Sequence, residues 1–108
     1  MGRHTLGEFE QAVLIAILRL GPNAYGVPIR HDIGERRGRA VSVGAIYSAL
    51  ERLEAKGFVS SWTGGATAER GHRAKRFYRV EAPGLRALEA ARVATRNLWA
   101  GLPEGAPA

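Results

Sequence analysis

The sequence contains no cysteine, few acidic residues and no long apolar run. Without cysteine the chain has no disulfides, thiolate metal ligands or cysteine nucleophile, which fits a reducing cytoplasm. The longest apolar run, residues 12–18, is far shorter than the roughly 20 residues of a membrane span. Glu8 and Glu10 precede that run, which is the wrong order for a secretory signal. We therefore expect a cytoplasmic protein without a membrane segment.

Residues suited to catalysis are also scarce. The three histidines, His4, His31 and His72, are far apart, and none has a second histidine at the spacing of a helical metal pair. The glycine-marked stretch "GGATAERGHR" lacks the Gly-Lys-Ser/Thr ending of a phosphate-binding loop and leads into a predicted strand rather than a helix. We expect no enzyme activity, no metal and no cofactor.

Positive charge dominates what is present. Of 108 residues, 16 are basic and 10 acidic, which gives a formal net charge of +6 and favours a polyanionic partner such as nucleic acid. The segment "GGATAERGHRAKRFYRV", residues 64–80, concentrates this charge. Five basic residues follow one another there without an acid: Arg70, Arg73, Lys75, Arg76 and Arg79. A solvated charged hairpin with no partner is the alternative, but it leaves the mutual repulsion of these charges unexplained.

Hydrophobic periodicity predicts three helices in the first half of a single domain. Thr5 and Glu8 have the spacing of a capping box, so the first helix should start there and end at Gly21. A second helix is predicted over residues 27–37. Ser42 is the expected N-cap of a third helix, residues 43–56, which Gly57 ends. Its buried side is predicted to hold Ile46, Leu50 and Leu53 with Tyr47 beside them, and Ser48, Ala49, Glu51 and Arg52 are expected mostly outside.

The second half predicts a hairpin and a last helix. Residues 58–63 and 74–80 are rich in β-branched and aromatic residues and flank a loop of about ten residues. A helix from Pro83 to Leu102 follows, and residues 103–108 are expected to be a disordered tail. The fold class is therefore mainly α with a small β-hairpin. The order of elements is that of a winged helix-turn-helix over residues 1–82, with a C-terminal dimerisation helix over residues 83–102.

This order has a use in DNA recognition. A helix of about 14 residues fits the major groove of B-DNA, where its first exposed side chains reach base edges. These side chains are small, so the backbone can approach closely; they are Ser42, Val43, Gly44, Ala45 and Ser48. Arg39 and the basic hairpin, the wing, would contact the flanking phosphates.

Three sequence blocks carry a family resemblance. "LGEFEQAVLIAILRLGPNAYGVPIR", "GRAVSVGAIYSALERLEAKGFVSS" and "RGHRAKRFYRVEAPGLRALE" resemble, in order, the signature blocks of the PadR family of transcriptional regulators, which are dimeric winged helix-turn-helix repressors. The resemblance places seven residues where members touch DNA or build the motif: Tyr25, Ser42, Tyr47, Arg70, Arg73, Lys75 and Arg76. Two positions depart from the family. His72 stands in the wing where glycine is common, and "VEAPG" removes a threonine N-cap before the last helix.

The last helix should mediate homodimerisation, because its apolar stripe has nothing obvious in so small a domain to cover it. The stripe comprises Leu85, Leu88, Ala91, Leu98, Trp99 and Leu102. A symmetric dimer would place two recognition helices about 34 Å apart and predicts an inverted-repeat operator. By resemblance, Trp99 is a possible contact for a small aromatic or hydrophobic effector.

Alternatives remain for the function and for single residues. A basic winged-helix module could bind RNA or a protein partner without reading DNA sequence. Tyr47 is interpreted as core rather than base-reading, His72 as a turn residue, Trp62 as a hairpin packing residue, and Trp99 equally as dimer core.

Overall fold

The structure is a computed structural model that describes residues 6–64 and 75–105. It contains four helices and one antiparallel hairpin, which confirms the predicted mainly α fold with a small hairpin. The elements are α1 (Glu8–Leu20), a short 3-10 helix (Gly21–Asn23), α2 (Gly26–Arg37), α3 (Val43–Ala55), β1 (Val59–Gly64), β2 (Lys75–Val80) and α4 (Ala82–Trp99).

The start of α1 differs from the prediction. The helix begins at Glu8 with Gly7 as its N-cap, and the backbone N–H of Gly7 donates to the Glu10 carboxylate at 3.2 Å. The predicted pair of Thr5 and Glu8 was therefore two residues too early, and Thr5 itself lies outside the described residues. Glu10 is held at this position because it also accepts from Arg52 at 3.2 Å and from Lys56 at 3.4 Å, both at the end of α3.

The predicted ends of α2 and α3 are close to the observed ones. Gly38 follows α2 with φ 72°, a left-handed conformation that glycine adopts without a steric penalty. Ser42 is the N-cap of α3, as predicted, and its Oγ accepts from the Ala45 N–H at 3.1 Å. Gly57, with φ 77°, lies just beyond the end of α3.

The core lies between α1, α2, α3 and the hairpin. Its fully buried larger side chains are Val13, Leu14, Ile29, Ile33, Ile46, Leu50 and Leu53. Two predictions about it were wrong. Ala49 is fully buried, whereas Tyr47 is 46% exposed, because the buried side of α3 is centred on the i, i+3, i+4, i+7 set that starts at Ile46. Leu18 of α1 is 49% exposed.

The hairpin pairs Val59 with Val80 and Trp62 with Phe77. The far edge of β2 is also paired, since the Tyr78 N–H donates to the Ala24 carbonyl at 2.9 Å and Tyr25 forms a bridge with Phe77. Of the two adjacent rings, Tyr78 is buried and Phe77 is half-buried. The segment before α2 is thereby attached to the hairpin.

Helix α4 packs on the body only near its start, where Gly84 lies against the Phe58 carbonyl with no room for a side chain. Its far end is open, with Leu98 81% and Trp99 64% exposed. Leu102 lies beyond the end of the helix at Trp99, so the predicted helix was too long. Within the described residues the apolar stripe is largely uncovered. No helix of this part of the chain is both long and apolar enough to cross a membrane.

Candidate nucleic-acid interface

The outer face of α3 is exposed and uncharged over its first two turns, and its side chains apart from Val43 and Tyr47 are small. Gly44, Ala45 and Ser48 are all exposed on it, and the first acidic residue of the helix is Glu51. Ser42 caps the helix without adding charge, so the partial positive charge of the N-terminus is not neutralised by an acid in the first turn. Such a surface can approach a polyanion closely.

One residue of this face was misjudged from the sequence. Tyr47, interpreted as core, lies on the outer face, and its ring packs against Gly26 at the start of α2. Glu51 is exposed one turn after Ser48, at i+7 from Gly44, as predicted. It was not among the predicted DNA-binding residues, although it lies on the same side of α3 as Gly44 and Ser48.

A notch of about 590 Å³ separates this face of α3 from β2. It is lined by Gly44, Tyr47, Ser48, Glu51, Glu54, Arg76 and Tyr78. Burial raises the pKa of the Tyr78 phenol, which nearby Arg76 opposes only in part, so Tyr78 is neutral at physiological pH. Polar groups of α3 and one guanidinium thus face each other across the notch.

The loop between α2 and α3 brings Arg39 beside the start of α3. The Arg39 N–H donates to the Gly34 carbonyl at 3.1 Å, while Arg30 Nε donates to the Val41 carbonyl at 2.6 Å. These bonds fix the loop, and the Arg39 side chain is exposed. Arg39 is therefore available to a ligand that approaches α3.

The basic residues of β2 are divided between its two faces. Lys75 lies over the Tyr25 ring, with Nζ 5.1 Å from the centroid. Arg76, on the opposite face, lies 3.9 Å from the Glu54 carboxylate of α3, which also accepts from the Ser61 hydroxyl at 2.7 Å. Arg70, His72 and Arg73, predicted in the wing, lie outside the described residues.

An aromatic stack supports the Lys75 face of the hairpin. Phe77 meets Tyr25 edge-on at 5.4 Å and stacks with Trp62 at 5.9 Å. Arg79 lies over the Trp62 ring at 5.8 Å. Trp62 is thus a packing residue of the hairpin, as predicted, and Tyr25, the N-cap residue of α2, is half-buried in this stack.

In the described part of the chain, no group of three histidine, aspartate or glutamate side chains lies close enough together to hold a metal ion. Residues 14–90 match the model of the transcriptional regulator PadR-like family. The chain belongs to this family. PadR-like proteins are transcriptional regulators rather than enzymes, which confirms the expectation of a non-enzymatic protein.

Solved structures agree with this assignment. A PadR family transcription regulator from Clostridium difficile R20291 superimposes with a TM-score of 0.68 at 19% identity, covering 85% of this chain and 91% of that one. A PadR family regulator from Eggerthella lenta DSM 2243 gives 0.67 at 23%, covering 88% and 82%. A transcriptional regulator from Clostridium thermocellum gives 0.67 at 18%, covering 83% and 84%. No curated protein matches the chain. At these identities the structures establish the fold, and they confirm a winged helix like that of other PadR-like regulators.

Proposed function

We propose that this PadR-like regulator is a repressor that binds an inverted-repeat DNA operator as a homodimer. The observation that carries the proposal is the outer face of α3, which is exposed and free of charge from Val43 to Ser48. Its 13 residues span about 20 Å at 1.5 Å per residue, a length that a major groove accommodates. The small side chains bring the helix backbone close to the base edges.

Contacts to phosphates would come from both sides of α3. Arg39 stands just before the start of the helix, and Lys75 is the first residue of β2. Arg70 and Arg73, which lie outside the described residues, precede Lys75 in the sequence and extend the same positive charge. These contacts need no defined side-chain geometry, so they supply affinity and orientation rather than sequence preference.

The homodimer is supported by the uncovered stripe of α4. Leu85, Leu98 and Trp99 are exposed, and Leu88 and Ala91 are half-buried. Burying such a stripe on a second copy removes its apolar surface from water at about 25 cal/mol per Å². A two-fold axis through α4 would present two α3 helices to successive major grooves, about 34 Å apart.

An effector site at Trp99 is a further part of the proposal. The indole is 64% exposed near the end of α4, where a second copy of the helix would bring a second Trp99. A flat hydrophobic ligand could stack there. In a Trp62→Phe background, a planar aromatic compound that quenches Trp99 fluorescence and releases DNA supports this role, whereas a dimer indifferent to such compounds leaves Trp99 as core.

The decisive experiment is a fluorescence-anisotropy titration with the DNA upstream of the protein's own gene and with a random duplex of equal length. We expect a preference of about 10³ or more for the operator. Ser48→Ala and Ala45→Leu should each cost about 1–3 kcal/mol on the operator and much less on random DNA, since each disturbs a base contact. Ala90→Leu, an exposed alanine on the side of α4 opposite the stripe, is the matched control.

Other results would favour the alternative function. Equal affinity for operator, random duplex and structured RNA indicates a basic winged-helix module that does not read DNA sequence. If Ser48→Ala lowered the affinity for operator and for random DNA by the same factor, α3 would not be the helix that reads the bases.

A further inference from the structure

We propose that Glu54 is a positioning residue that directs Arg76 into the notch beside Ser48, so that Arg76 contributes to the choice of DNA sequence rather than to general phosphate binding. The inference rests on the proposed DNA-binding function. In this proposal Glu54 does not contact DNA and acts through Arg76.

The geometry around Glu54 supports this role. Glu54 lies in the last turn of α3, and its Oε2 atom accepts from the Ser61 hydroxyl of β1 at 2.7 Å. This bond orients the carboxylate, whose Oε2 lies 3.9 Å from the Arg76 guanidinium of β2. One acid thus connects the recognition helix with both strands of the hairpin.

The Arg76 side chain lies on the α3 side of the hairpin. Side chains alternate along a strand, so Arg76 lies on the face of β2 that looks toward α3, while Lys75 lies on the other face, over Tyr25. Arg76 lines the notch with Tyr47, Ser48 and Glu51. A planar guanidinium directed toward the outer face of α3 can make paired hydrogen bonds to a base edge, which a freely rotating side chain makes less often.

Without Glu54, Arg76 would lose this direction. Its side chain is half-exposed, and among the described residues Glu54 is the acid that pairs with it, while its other neighbour in the notch, the Tyr78 phenol, carries no charge. A released arginine beside DNA is attracted by the nearest phosphate, since that attraction has little directional requirement. Random DNA would then gain an ionic contact while operator preference falls.

The test uses Glu54→Gln, which keeps an oxygen acceptor for Ser61 and removes the negative charge. Duplexes enriched from a randomised library by the wild-type protein, and scrambled duplexes of the same composition, serve as probes. We expect operator preference to fall about three- to fivefold, the scale of an exposed ion pair. On scrambled DNA, binding should tighten, and the slope of log K against log salt should steepen by up to about one per chain. Glu8→Gln, at the exposed start of α1, makes the same charge change and should leave operator preference unaltered.

A double-mutant cycle separates positioning from a direct effect of the carboxylate. In an Arg76→Ala background, Glu54→Gln should change neither preference nor salt slope, because the group that Glu54 directs is gone. Thermal unfolding curves show whether each variant is folded. An equal loss of preference with and without Arg76, or an unchanged preference in Glu54→Gln alone, overturns the inference. If the wild-type protein enriches no sequence at all, the proposed function fails, and the inference falls with it.

Discussion

The Tyr47 ring of α3 lies so close to Gly26 at the start of α2 that a methyl group at position 26 would overlap the Tyr47 hydroxyl. Gly26→Ala should therefore displace the exposed Tyr47 side chain toward solvent. Folding stability should change by less than about 1 kcal/mol, because the side chain that must move is flexible and alanine favours the helix. Operator preference should fall, since Tyr47 borders the exposed face of α3. Thermal unfolding and anisotropy titrations measure the two effects.

A Tyr47→Ala background provides the control for this prediction. There the added methyl group meets no ring, so Gly26→Ala should have no further effect on DNA binding. A loss of the same size in both backgrounds would show that Gly26 acts through something other than Tyr47.

Lys75 should contribute affinity without sequence preference. Lys75→Ala is expected to weaken binding to operator and random DNA by the same factor, because phosphates are common to both. The slope of log K against log salt should become shallower by about one unit per chain. Lys75→Arg, which keeps the charge, should retain the slope. If the slope of log K against log salt were unchanged in Lys75→Ala, Lys75 would not contact a phosphate.

The stability of the protein should depend on pH through Glu10. Burial acts to raise the pKa of this carboxyl, but the Gly7 N–H, Arg52 and Lys56 together outweigh burial and hold the pKa below its ordinary value of 4.5. The carboxylate therefore stabilises the fold fully above about pH 4.5, and this contribution is lost as pH falls through the lower, folded-state pKa. Glu10→Gln should cost about 1–2 kcal/mol at pH 7, from weakened charged hydrogen bonds.

The difference in unfolding temperature between wild type and Glu10→Gln is the measurement. It should shrink as pH is lowered from 6 to 3, because the wild-type carboxylate becomes protonated while glutamine does not titrate. Glu8→Gln, in the same helical turn but exposed, should show a smaller difference at pH 7. A difference between wild type and Glu10→Gln that stays constant across this range would contradict the assignment.

The α4 stripe should determine the oligomeric state. Leu88→Glu places a charge within the stripe, where a partner would have to bury it, so sedimentation should give a monomer with poor operator binding. The affinity of this variant for random DNA should fall less than its affinity for the operator, because a single protomer can bind random DNA. A wild-type protein that sediments as a monomer at micromolar concentration would exclude the dimer and with it an effector site between two copies of Trp99.

Local signals predicted most of the fold correctly. Ser42, Gly38 and Gly57 mark the helix ends through short-range chemistry, a capping hydroxyl and two left-handed turns, which the sequence shows directly. The start of α1 was placed wrongly because its true cap depends on Glu10, whose position is fixed by Arg52 of α3 and by Lys56 just after it, both more than 40 residues away.

The site was harder to predict, for a related reason. Tyr47 and Ala49 fall on either side of the buried stripe, and hydrophobicity favoured the larger residue for the core. The structure buries the small one, because alanine lets α3 approach its neighbours, and leaves the ring on the outer face against Gly26. The contact of Glu54 with Arg76 joins a helix to a strand and follows from no pattern in either segment.

The backbone hydrogen bond from the Tyr78 N–H to the Ala24 carbonyl affects how readily the hairpin can pair with other chains. Isolated two-stranded hairpins are marginally stable and expose two rows of unpaired amides to other chains. Here the segment before α2 occupies one of those rows beside Phe77 and Tyr78, so intermolecular strand addition is hindered at the middle of β2. Among the described residues, the outer edge of β1 is the side that remains for strand pairing with another chain, and it offers six residues.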